Sequence, residues 1–113
     1  MFKKIFLIIF FISFLFISYP VQSSDISKQK LDNYTNKISS KFTRTYCNTT
    51  QFGISAEGAL AFAIGETNKE FKNNKLNELI DYSILDGEIV KKLKINCNIY
   101  DFPISSLEKL KFK

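Results

Sequence analysis

The chain has 113 residues, 16 Lys and Arg against 11 Asp and Glu, a net charge of +5, and no histidine. That length holds one domain, and a mild charge with a single arginine, Arg44, argues against a nucleic-acid binder, which clusters basic residues with interleaved aromatics. The lack of histidine excludes Ser-His and Cys-His nucleophile systems and haem attachment through Cys-x-x-Cys-His.

The N-terminus carries the pattern of an export signal. Lys3 and Lys4 form a basic start, Ile5 to Tyr19 is apolar apart from Ser13 and Ser18, and Pro20 is followed by Val21-Gln22-Ser23. Residues 1–23 are therefore expected to be a signal peptide cleaved after Ser23, leaving residues 24–113 as a small exported helical domain. An uncleaved anchor is the alternative, although an apolar stretch of this length spans only about 22 Å as a helix, against a hydrocarbon core of roughly 30 Å. No cysteine lies near the end of the apolar stretch, so a lipid anchor is not expected. Loss of Lys3 and Lys4 with the signal would lower the net charge to +3.

Lys, Ile, Asn and Phe are abundant, as an AT-rich genome would produce. Asn33-Tyr34-Thr35 and Asn48-Thr49-Thr50 match the N-glycosylation pattern, but chance matches are expected in an Asn-rich chain.

From Asp25 to about Tyr46, Leu31, Tyr34, Ile38 and Phe42 recur at helical spacing, with acidic Asp25 at the start and Lys41 and Arg44 near the end, as the helix dipole favours. Gly53 then predicts a turn, and Ser55 is placed to cap a second helix. Its expected apolar face is Ala56, Leu60, Ala63, Ile64 and Phe71. Phe62 projects from the opposite side between Gly58 and Gly65, which predicts a central helix covered on both sides, its glycines admitting a second segment.

Asn73-Asn74 mark a break, after which Leu76, Leu79, Ile80 and Ile84 predict a third helix ending at Asp86-Gly87. Residues 88–97 fit a helix through Ile89, Val90, Leu93 and Cys97. They also alternate like a strand through Leu93, Ile95, Cys97 and Ile99, and helix is the favoured reading. Ser105 and Glu108 resemble a capping box for a short last helix with Leu107 and Leu110. The fold class expected is mainly α, a small bundle of about four helices after the signal, with one disulfide.

That disulfide joins Cys47 and Cys97, the only cysteines, in a small chain with an export signal. Two free buried thiols are the alternative. A redox or metal pair lacks both the Cys-x-x-Cys spacing and a histidine.

Glu66 and Glu70, one helical turn apart, could serve acid-base chemistry or a hard cation, but Lys69, Lys72 and Lys75 nearby favour surface ion pairing. The Gly53–Gly58 segment could offer amides to an anion, yet it lacks a P-loop lysine and carries Glu57. Lys91, Lys92 and Lys94 read as a solvated face.

The stretch from Phe52 through Ile54-Ser55-Ala56-Glu57-Gly58 and Phe62-Ala63-Ile64-Gly65 to Phe71, with the signal and the AT-rich composition, resembles small exported proteins of unknown function from marine picocyanobacteria. The resemblance implies a periplasmic or thylakoid-lumen location and supplies no functional residues.

The expected function is that of a non-enzymatic interaction or accessory protein of that compartment, without cofactor or metal. Gly58, Phe62 and Gly65 are the expected surface for an unknown protein partner or a small ligand. A small-ligand-binding module, an enzyme using Glu66 and Glu70, and a membrane-tethered subunit with the signal retained are the other readings.

Overall fold

A computed structural model describes residues 22–112. The expected signal falls on residues 1–23, nearly all of it outside the described residues. The chain divides into two compact units, residues 1–30 and 31–113, and the side-chain packing below concerns the second. The described residues are helical, with no strand: α1 (Gln22–Gln51), α2 (Ala56–Phe71), a 3₁₀ helix (Lys75–Leu79), α3 (Tyr82–Cys97) and a second 3₁₀ helix (Ile104–Lys109).

The α1 stripe buries Tyr34, Ile38 and Phe42 as expected, and extends to Tyr46 and Cys47. The helix outlasts its predicted end by another turn and stops at a Schellman motif. Gly53, at φ 89°, donates its N–H to the Thr50 carbonyl at 3.0 Å, and Ile54 donates to that of Thr49 at 3.4 Å. Ser55 then caps α2, accepting from the Gly58 N–H at 3.2 Å.

The ties between helices fix their directions. Tyr34 reaches the Phe71 carbonyl and Lys41 reaches Glu70, so α2 runs antiparallel to α1. Lys92 reaches Asn36 and Ser40 while Cys97 reaches Cys47, so α3 runs parallel to α1. Leu85, Ile89 and Leu93 of α3 join Ile38, Phe42, Ala59 and Ala63 in one core. The chain after α3 returns as a strap. Asn68 of α2 donates to the Lys109 carbonyl at 3.1 Å, and the Phe112 N–H donates to the Tyr82 hydroxyl at 3.2 Å, seating the buried Leu107, Leu110 and Phe112.

Three expected boundaries are corrected. The third predicted helix is only a 3₁₀ turn, and α3 begins at Tyr82 because the Asp81 carboxylate accepts from the N–H groups of Ser83 and Ile84. Gly87, read as a terminator, lies inside α3, which closes instead at Asn98 in the left-handed conformation (φ 55°). The capping box at Ser105 and Glu108 does not form. Pro103 opens that 3₁₀ segment with no side-chain cap.

Residues 88–97 are helix, the favoured reading. Cys47 and Cys97 form a disulfide, their Cα atoms 5.9 Å apart and 50 residues apart in sequence.

The aromatic residues at that end form one cluster, with Phe42 and Tyr46 stacked and Phe102 edge to face against both. Phe102 stands against Phe42 and Tyr46, with ring centres 6.3 and 5.5 Å apart. Thr43 and Thr67 are fully buried, and their hydroxyls have no hydrogen-bond partner among the described residues. Each such group costs on the order of 1–3 kcal/mol.

A candidate docking groove between the first two helices

The expectation that Phe62 is covered is overturned. Its side chain keeps 52% of its surface exposed, because α2 buries the face made by Ala59, Ala63, Ile64 and Thr67 and no described segment crosses the other side. The glycines do not admit a second segment. A Cβ on Gly58 would meet Ile54 Cγ2 at 3.1 Å and Ser55 Oγ at 3.2 Å, so Gly58 makes room for the loop that enters its own helix. Nothing lies within 4 Å of the Cβ position of Gly65. Ala56, expected on the buried face, is exposed.

Of the three residues expected to form a partner or ligand surface, Phe62 lines a groove of about 460 Å³, while Gly58 and Gly65 do not. Its companions on the apolar wall are Phe52, 85% exposed, and Ile54, 49% exposed. These two stand on either side of Gly53, so the Schellman turn that ends α1 also presents them at the lip. Helical periodicity does not reveal them, because both lie outside the helices, in the turn between Gln51 and Ala56. A turn glycine flanked by two large apolar residues was the available signal.

The opposite wall is the C-terminal part of α1: Lys41, Arg44, Thr45, Asn48 and Thr49. The ammonium of Lys41 lies 3.6 Å from a Glu70 carboxylate oxygen. The Thr45 and Thr49 hydroxyls donate to the carbonyls of Lys41 and Thr45 at 2.8 and 2.6 Å, so their hydrogens are committed within the helix. Arg44 and Asn48 are exposed, and their side chains have no hydrogen-bond or ion-pair partner among the described residues. The groove thus has an apolar wall and a polar wall with one unpaired cation.

Glu66 and Glu70 do not make a paired carboxylate site, since Glu70 turns to Lys41. Among the described residues no three Cys, Asp or Glu converge where a metal could be held. Of the three lysines read as a solvated face, Lys91 and Lys94 are exposed, whereas Lys92 crosses to α1 and donates to Asn36 and to Ser40 Oγ, the latter at 2.9 Å. No described helix is long and apolar enough to cross a membrane.

A second groove, between α3 and the strap, holds Asp86 with Tyr82, Glu108 and Lys111. Burial pushes the Asp86 carboxyl above the usual carboxylate range, opposed by the Lys111 charge.

The fold defines a small, mainly helical protein closed by one disulfide, with an exposed apolar wall in the groove between α1 and α2. Compared with family models, curated proteins and solved structures, the chain matches none.

Proposed function

We propose that the chain is a non-enzymatic interaction protein of an exported compartment, the periplasm or a thylakoid lumen, and that it docks a partner through the groove lined by Phe52, Ile54 and Phe62. The observation that carries this reading is the meeting of three exposed large apolar side chains in one concavity. Leu79, Ile84, Ile95, Tyr100 and Ile104 are also exposed, and none of them lines this groove. Isolated exposed apolar residues are ordinary on a protein surface, whereas a cluster beside polar groups is the usual form of an interaction site.

A small-ligand site is the weaker reading. Such sites bury about 70–90% of their ligand, and here two of the three apolar residues are at least half exposed. The exported location is supported by the residue pattern of the first 23 positions and by the pairing of the two cysteines, since disulfides persist in oxidising compartments.

The test is affinity recovery of the tagged full-length chain from the organism that encodes it, alongside the double variant Phe52→Ser/Phe62→Ser. At least one protein recovered with the parent should be lost with the variant. An identical set from both would refute docking through this groove.

A further inference from the structure

We propose that the groove accepts a segment of another protein in which a carboxylate stands next to an apolar side chain, with Arg44 and Asn48 holding the carboxylate and Phe52, Ile54 and Phe62 receiving the apolar group. This deepens the docking reading above and rests on it.

The groove's polar wall narrows the chemistry. Lys41 is engaged by Glu70, and Thr45 and Thr49 spend their hydroxyl hydrogens on backbone carbonyls. Beyond the ion-paired Lys41, the unpaired donors are the Arg44 guanidinium and the Asn48 amide. They are four residues apart on α1, so they project from successive turns of one face. A guanidinium offers two parallel N–H groups in the geometry of a carboxylate, and a neighbouring amide adds a third donor. Arg44 therefore asks for an anion, and the apolar wall beside it asks for that anion to be attached to a hydrophobic group.

The form of the groove points to a protein segment rather than a free amphiphile. Its apolar residues are exposed enough to leave a small molecule largely in water, while a protein segment brings surrounding structure that excludes water around the anchor. An anionic bilayer fits less well. Lipid-binding surfaces gather about 4–8 cations, whereas one unpaired cation lines this groove.

The experiment uses the mature full chain and two fluorescent synthetic peptides of about a dozen residues, one alternating Glu with Leu and Phe, the other with Gln replacing every Glu. Binding is read by anisotropy near physiological salt, and vesicles of phosphatidylglycerol serve as a separate probe. The Glu peptide is expected to bind about tenfold more tightly than the Gln peptide, a ratio equal to about 1.4 kcal/mol. Arg44→Gln should abolish that ratio, and Phe62→Ser should weaken both peptides; both side chains are exposed, and thermal melts of each variant verify its fold.

Equal binding of the two peptides, still dependent on Phe62, would overturn the carboxylate assignment and leave docking through the groove intact. A preference for Glu that survives Arg44→Gln would also overturn it. Binding to vesicles with neither peptide bound would transfer the surface to a lipid partner and overturn the proposal. Binding to no probe would overturn it as well, while the recovery experiment above decides the docking reading separately.

Discussion

Tyr34 of α1 donates its hydroxyl hydrogen to Oδ1 of Asn77 at 2.5 Å, and the same amide donates through Nδ2 to the Phe71 carbonyl at 2.8 Å. Asn77 thereby ties the 3₁₀ turn after α2 both to α1 and to the last residue of α2. The Tyr34 ring also meets the Phe71 ring edge to face, with centres 5.7 Å apart. Burial of the phenol, with the nearby Tyr82 second, raises the Tyr34 pKa above its ordinary value and keeps the hydroxyl a donor at neutral pH.

Tyr34→Phe keeps the ring and leaves Asn77 Oδ1 buried without its partner, at an expected cost of about 1–3 kcal/mol in chemical denaturation. Asn77→Ala should cost a similar amount. The double variant should lose less than the sum, because both substitutions remove one shared hydrogen bond. Full additivity would mean that the bond contributes nothing.

The fold's legibility in the sequence follows the physical strength of each signal. Of the stripe Leu31, Tyr34, Ile38 and Phe42, large apolar residues at helical spacing, the last three are buried and Leu31 is half-buried. The α2 face was legible only in part. Ala59 and Thr67 are fully buried there, but a small residue and a polar one carry little periodic hydrophobicity. Leu76, Leu79, Ile80 and Ile84 kept helical spacing across a boundary set by the Asp81 cap, and apolar periodicity is blind to a cap in mid-run. Phe62 pointed to the groove without revealing its form, since the opposing wall comes from α1, on the far side of the turn after Gln51.

Reduction of the disulfide should destabilise the protein by about 4 kcal/mol, the chain-entropy value for a closed loop of this length. The check is equilibrium denaturation with and without reductant, or with Cys47→Ser/Cys97→Ser. The α1–α3 contact at Lys92 persists only if the reduced chain remains folded, so loss of a cooperative transition would place most of the stability of a small domain in this one bond.

Asp86 gives a pH dependence opposite to that of an ion-paired carboxylate. Burial raises its folded pKa above the unfolded value, with Lys111 acting in the other direction, so the folded state binds this proton more tightly than the unfolded chain does. Its contribution is most favourable below the unfolded carboxylate pKa of about 4 and is lost as pH rises through the folded value. Asp86→Asn cannot ionise, and it should melt at a higher temperature than the parent at neutral pH. That advantage should shrink to nothing in acid. A variant less stable than the parent at neutral pH would mean that the Lys111 attraction outweighs burial.

The central claim is that the Phe62 side of α2 faces a partner and not the protein's own core. Its most direct test is site-specific photo-crosslinking in the organism that encodes the chain, with a benzophenone amino acid placed at position 62 and, as a control, at position 95, where Ile95 is 69% exposed outside the groove. The account predicts a discrete crosslinked species from position 62, absent from position 95, together with a loss below about 1 kcal/mol for Phe62→Ala in denaturation, far under the roughly 3–5 kcal/mol of a buried phenylalanine. Equal crosslinking at both positions, or none at 62 with a large loss of stability in Phe62→Ala, would contradict it.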